Sequence, residues 1–277
     1  MINLIKLPKL LQFIRRFDFS KKLGVLEKIY GNQLQRLGQG WVTCSNGVVW
    51  KLNLEDPCHR WIIYGKYEGG AGIDFALDKL KNGGIYIDSG ANIGQWLLFI
   101  ANMKNVKSLA FEPVSSERNW LDQCVNKQRG WDVSILPFGL GSKEGYLEIQ
   151  QDGPRSTLKL DWYQGKNFGR EKVEIRRLEN VLEDIGVEKI TFWKLDVEGA
   201  ELEAIKGVEK LLANKKIEYI YFECHPDNYT AVSQLLGKYN YCVYDLVKGN
   251  LLPKLEKKIL KTENLVATLR NDYDQLS

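Results

Sequence analysis

Four short segments hold most of the side chains in this chain that suit chemistry on a ligand. The first is Asp88-Ser89-Gly90-Ala91-Asn92-Ile93-Gly94. Gly90 lets the chain turn tightly and bring backbone close to a ligand, and Gly94 removes a side chain where a following helix must approach a strand. Asn92 tolerates left-handed backbone better than most residues and carries an amide that can bond a ligand. The second is Glu112-Pro113, 22 residues after Gly90. An acid at that separation, on the tip of a neighbouring strand, can accept hydrogen bonds from both ribose hydroxyls of a nucleoside. The third, Lys194-Leu195-Asp196-Val197-Glu198-Gly199-Ala200-Glu201, places three carboxylates within six positions, and the fourth is Glu223-Cys224-His225-Pro226. Crowded carboxylates raise one another's pKa, which suits a general base acting on a hydroxyl. Glu201 reads as an acid complementing the start of a helix. Glu198, Asp196 and His225 stand as candidate bases, in that order.

The type of nucleoside follows from the loop. Its glycines are spaced Gly-x-x-x-Gly, where a dinucleotide loop is GxGxxG, and no GxxxxGK[ST] phosphate loop occurs. Asp88 would oppose a diphosphate, and Glu112 would repel the ribose phosphate of NADP. S-adenosylmethionine carries no phosphate; its sulfonium and ammonium suit an acidic surrounding. An NAD-dependent oxidoreductase and a non-catalytic cofactor-binding domain remain the alternatives.

These segments sit where strands end. Residues 85–87, 109–111, 133–136, 190–195 and 217–222 read as short strands apolar on both faces, and 241–247 and 265–269 as two closing strands. Helices are expected at 93–103, 117–129, 201–212 and 229–239. Such alternation gives an α/β fold, a mostly parallel seven-stranded sheet with helices on both faces. Ligands in such sheets bind beyond the carboxyl ends of the strands. Before it, the spacing predicts a helix over 73–81 ending at Asn82-Gly83-Gly84, and a hairpin of 40–44 and 47–52 turned by Ser45-Asn46-Gly47. Residues 1–72 form a helical and hairpin extension and 73–277 the main domain. Residues 152–172 are a polar stretch expected to be a loop, in which Trp162-Tyr163 offers stacking faces for a sugar; most of the eight tryptophans read as packing.

Five scattered cysteines without a CxxC pair fit neither a disulfide framework nor a thiolate zinc site, and suit a reducing, cytoplasmic setting. With two histidines, His59 and His225, a multi-histidine metal site is excluded; His59 reads as structural, and no ligand spacing marks a metal. The net charge of +4 is local, because residues 1–24 hold six Lys and Arg against Asp18. The remainder is near neutral, so no nucleic-acid surface is indicated. Leu7, Leu10, Leu11, Ile14 and Phe17 recur at helical spacing beside Lys9, Arg15 and Arg16. The segment reads as a helix docked on the domain, with peripheral membrane contact through residues 1–22 as the alternative. Charge interrupts its apolar run too often for a secretory peptide.

Together, Gly65-Lys66-Tyr67-Glu68, residues 86–94, Phe111-Glu112-Pro113 and residues 194–201 resemble the FkbM-type methyltransferases, in order and spacing, across about residues 48–226. The resemblance implies a Rossmann-like class I methyltransferase fold and S-adenosylmethionine as cofactor. It implies O-methylation of a hydroxyl on a sugar, glycan or secondary-metabolite acceptor, with N-methylation as the variant chemistry. Asp88, Gly90, Asn92 and Gly94 would then surround the methionine part, and Glu112-Pro113 the ribose. Phe138-Gly139 would lie near adenine, Tyr67-Glu68 would close over the pocket, and Asp196 would face both cofactor and acceptor. One departure is Arg176-Arg177-Leu178-Glu179, where such proteins often have Thr-Leu-Asp.

Overall fold

The computed structural model describes residues 4–17, 19–65, 70–150, 169–247, 249–253 and 263–270. It opens with helices Lys9–Ile14 (α1) and Lys22–Gln35 (α2), then the expected hairpin, Gln39–Thr43 (β1) and Val49–Asn53 (β2), then Pro57–Tyr64 (α3) and Gly70–Lys79 (α4). Gly47, at φ 86°, makes the hairpin turn, and Asp56 caps α3 by accepting the Cys58 N–H.

The central sheet contains the seven expected strands. Gly84–Ser89 (β3), Val106–Phe111 (β4), Asp132–Leu136 (β5), Ile190–Leu195 (β9) and Ile217–Cys224 (β10) run parallel in the order β10-β9-β3-β4-β5. Glu263–Leu269 (β13) lies antiparallel between β10 and Tyr241–Val247 (β11). An eighth strand, Asn250–Pro253 (β12), adds to the seven expected; it pairs with the outer edge of β11 after a turn at Gly249, φ 83°. Four residues ending in proline carry little strand signal, and an edge is where such a strand is tolerated.

Successive residues of the parallel strands point into different cores, which is why these strands read as continuous apolar runs. Tyr86, Phe192 and Tyr221 pack on one face with Gln95–Ile100 (α5), α4, the hairpin and the N-terminal helices. Ile87, Trp193 and Phe222 pack on the other with Leu178–Asp184 (α7), Glu201–Lys206 (α8), Glu209–Ala213 (α9) and Tyr229–Lys238 (α10). The helix expected over 201–212 is two helices. Gly207 packs on the Gly141 carbonyl so closely that a Cβ would overlap it, and the chain breaks there. Periodicity also missed a three-stranded sheet of Phe138–Leu140 (β6), Arg170–Arg176 (β8) and Gly145–Gln150 (β7), in which β8 is central. Ser115–Asn126 (α6) covers β2 and β5. Residues 151–168, which include Trp162 and Tyr163, lie outside the described residues.

The N-terminal extension is built onto the sheet through buried polar ties. Arg15 donates to the Thr43 and Cys44 carbonyls at 3.0 and 3.3 Å. Glu27 on α2 receives Arg60 Nε and Nη2 at 3.0 and 2.6 Å and Tyr64 Oη at 2.9 Å, while Arg60 Nη1 donates to the Leu54 and Glu55 carbonyls. His59 accepts the Asn53 N–H and stands edge-on to Trp120, a structural position as expected. Trp50 Nε1 donates to the Ile93 carbonyl at 2.9 Å, so the hairpin braces the Gly90–Gly94 loop from below.

Removing Glu27 would leave the buried Arg60 guanidinium without its carboxylate. Glu27→Ala is expected to destabilise the chain by about 2 kcal/mol, a fall of roughly 5 °C in Tm, and Glu27→Gln by less. Thermal melts of the two variants check this; an unchanged Tm for Glu27→Ala would show that the α2–α3 tie contributes nothing.

Candidate active site at the carboxyl edge of the sheet

Leu136, Phe111, Ser89, Leu195 and Phe222 stand in one row across β5, β4, β3, β9 and β10. The residues one step further, Pro137, Glu112, Gly90, Asp196 and Glu223, therefore form a rim at a single level. This rim is the topological switch point of the sheet, because the chain leaves β3 toward β4 on one side while β9 lies on the other. The four sequence segments meet here.

The loop after β3 is held at both ends. Gly90 and Ala91 N–H both donate to the Phe111 carbonyl at 3.1 Å. Gly90 has φ 72° and a Cβ there would overlap the Asp196 carbonyl oxygen, so two strand tails touch as only glycine permits. Asn92 takes left-handed backbone, φ 49°, as expected, but its side-chain oxygen is spent locally on the Ile93 N–H at 2.7 Å. Gly94 has φ 83° and a Cβ would strike Leu121 and Trp50; α5 starts only after it, two residues later than the apolar spacing predicts.

Glu112 is 4% exposed. Its Oε2 accepts the Asn92 N–H at 2.8 Å and its Oε1 the Val114 N–H at 2.9 Å, which cross-links the loops after β3 and β4. Each oxygen keeps a lone pair for a further donor. Burial outweighs these two N–H groups and pushes the carboxyl up to about 7. Gly139, on β6, lies close to the Pro113 ring, and Phe138 beside it stacks under the Arg176 guanidinium at 5.2 Å. The expected adenine-side and ribose-side residues are thus neighbours, and the departing Arg176 is a lid on Phe138. Tyr67 and Glu68 lie outside the described residues.

Lys194 is the residue that sequence reasoning passed over. It is 4% exposed; its Nζ donates to the Gly90 and Ser89 carbonyls at 2.7 and 3.2 Å and stands 3.4 Å from Asp88 Oδ1 and 3.5 Å from Asp196 Oδ2. The signal was a lone lysine in an otherwise apolar strand, a cation that must find partners. Asp88 is 1% exposed, and burial raises its pKa against the pull of Lys194.

Beyond Asp196 the backbone is unusual. Glu198 has φ 50° and Gly199 φ 99°. Glu201 Oε1 accepts both the Val197 and the Gly199 N–H, at 3.2 and 2.9 Å, and so clamps the chain on either side of Glu198. Glu201 is almost fully buried, which raises its pKa. On β10, His225 Nε2 lies 3.3 Å from Glu223 Oε2. Among the described residues no three His, Cys, Asp or Glu side chains cluster to hold a metal ion.

Lys194→Met is expected to lower stability by about 3 kcal/mol, because it strands a buried carboxylate. Lys194→Met/Asp88→Asn should recover most of that loss. A double variant as unstable as the single one would show that the carbonyl bonds, not the ion pair, are what Lys194 supplies.

Comparison with known proteins identifies the family. Residues 88–246 match the methyltransferase FkbM domain. The chain is 32% identical over 172 residues to methyltransferase sdnD of Sordaria araneosa, covering 49% of this chain and 64% of that protein. It is 26% identical over 153 residues to the hexuronic acid methyltransferase AglP of Haloferax volcanii, covering 55% and 61%. It therefore spans under two thirds of either relative. Among solved structures, an rRNA methylase from Streptococcus thermophilus superposes with a TM-score of 0.43 at 13% identity, covering 71% of this chain and 93% of that one. The match over residues 88–246, more than half of the chain, shows that this chain belongs to the FkbM family of S-adenosylmethionine-dependent methyltransferases.

Proposed function

We propose that the chain methylates a hydroxyl of a small-molecule or glycan acceptor, with Glu198 as general base. The observation that carries this reading is the clamp of Glu201 on both sides of Glu198, which holds a bulky residue in left-handed backbone at the rim. Strain of that kind is retained where surrounding structure enforces it, commonly at functional sites. The relative described as a hexuronic acid methyltransferase supports a sugar-type acceptor. No disulfide joins any of the five cysteines, all of which are among the described residues, and this supports a reducing, cytoplasmic setting.

The residues present fit the cofactor. Glu112 has an acceptor position left on each oxygen for the two ribose hydroxyls, and the Gly90 turn, closed on the Asp196 carbonyl, keeps the tails of β3 and β9 together beside it. Pro113, Phe138 and Gly139 would flank the adenine, and the Gly90–Gly94 loop the methionine part. S-adenosylmethionine supplies an electrophilic methyl on a sulfonium. The chain's work is to align the acceptor oxygen with that methyl and to take its proton as the new O–C bond forms and the S–C bond breaks. Asp196 Oδ2 lies 3.5 Å from Lys194 Nζ and in this reading belongs to the anchor of the loop, which puts Glu198 before it as the base. His225 with Glu223 would orient the acceptor or serve as the reserve base.

Two measurements test the reading. Calorimetric titration with S-adenosylhomocysteine and, separately, NAD should show binding of the first only, lost in Glu112→Ala. Its affinity should fall about tenfold from pH 8 to pH 6, since Glu112 gives up an acceptor position once protonated below about 7, and Glu112→Gln should flatten that dependence. Methyl transfer from S-adenosylmethionine to a panel of sugars and uronic acids should drop by about a hundredfold or more in Glu198→Gln, with cofactor affinity nearly unchanged. Full turnover in that variant would move the base to His225 or Asp196.

A further inference from the structure

The N-terminal helices bury one side and leave another uncovered. The sequence pattern grouped Leu7, Leu10, Leu11, Ile14 and Phe17 on a single face, but the structure splits them. Leu7, Leu11 and Arg15 point into the protein, while Leu10, Phe13 and Phe17 are 60%, 59% and 53% exposed. Their i, i+3, i+7 spacing puts these three on one side. The helical turns carry past α1, with Arg16 and Phe17 N–H donating to the Phe13 and Ile14 carbonyls. Phe13 and Phe17 hold each other edge-to-face with ring centroids 5.2 Å apart. On α2, Leu26, Tyr30 and Leu34 are buried, whereas Val25 and Ile29 are exposed on a stripe with Lys21, Lys28 and Arg36. Lys22 Nζ donates to the Arg15 carbonyl and ties the start of α2 to the end of α1.

The charge around these apolar side chains is predominantly positive. Residues 1–37 contain eight Lys and Arg against Asp18 and Glu27. Glu27 is turned inward on Arg60 and Tyr64. Lys6, Lys9, Arg16, Lys21, Lys28 and Arg36 are all exposed. A second copy of the chain would bring like charges together across this face. An anionic surface with an apolar layer beneath it complements both features, and amphipathic helices with bulky apolar residues beside Lys and Arg sink into such an interface. No helix among the described residues is long and apolar enough to cross a membrane, so contact would be peripheral.

We infer that the face made by α1 and the exposed stripe of α2 docks on an anionic lipid bilayer, with Leu10, Phe13 and Phe17 inserted at the headgroup boundary and the basic ring on the headgroups. This is independent of the acceptor and of the base.

Vesicle sedimentation with the full chain tests it. Phosphatidylcholine vesicles with about 30 mol% phosphatidylglycerol, in about 0.1 M salt, should carry the protein down at least tenfold better than pure phosphatidylcholine. Phe13→Ser/Phe17→Ser should reduce that binding about tenfold while leaving Tm and S-adenosylhomocysteine affinity unchanged, since both rings are exposed. Lys9→Gln/Arg16→Gln should erase part of the preference for anionic vesicles. Equal sedimentation with both vesicle types, or unaltered binding of the phenylalanine variant, would overturn the inference. So would a dimer in sedimentation velocity that the phenylalanine variant dissolves, which would make the face a contact between copies.

Discussion

One ammonium group ties together the strand tails at the carboxyl edge of the central sheet. Lys194 is a buried cation within the sheet, and its partners come from two strand tails: the Ser89 and Gly90 carbonyls and Asp88 from β3, and Asp196 from the end of its own strand. A buried cation of this kind has few alternative arrangements, since any displacement leaves it or Asp88 unpaired at high cost. The Gly90 turn, the touching of Gly90 on Asp196 and the start of the acidic tail follow from that constraint. Specificity of arrangement, more than net stability, is what such a pair contributes.

Around this anchor the protein uses carboxylates as brackets for backbone. Glu112 joins the tails of β3 and β4 through two N–H groups, and Glu201 closes the tail of β9 on itself through two more. Both groups are buried and both have raised pKa values. Each sits at a point where an open loop would otherwise leave N–H groups without partners, so the same side chain that satisfies the loop also fixes its shape. In Glu112 each oxygen holds one of these N–H groups and keeps an acceptor position beyond it.

Much of this was legible in the residues because the signals were local. The glycine loop, the acid at the tip of the next strand and the apolar strands each carry their physics in a few neighbouring positions. What escaped the sequence depended on distant partners. Gly207 reads as a tolerable helical glycine until Gly141 is packed against it. The β6-β8-β7 sheet joins segments that alternate polar and apolar too briefly to declare themselves. Lys194 looked like the edge of a motif, and its importance is visible only once β3 lies alongside. The N-terminal helix was recognised, yet its faces were merged, because five apolar positions fit a single stripe until the sheet chose which of them to cover.

The placement of β13 bears on how the chain is assembled. It lies between β10 and β11, antiparallel to both, although it is the last of the three to leave the ribosome. Until residues 263–269 emerge, β10 and β11 have no shared partner, and each presents an open row of amide and carbonyl groups. The parallel half of the sheet, from β9 to β5, can form during synthesis, while the far half waits for one late strand. A nascent or clipped chain lacking that strand would therefore resemble a folded protein at one end and a sticky edge at the other, and would be a natural client for chaperones.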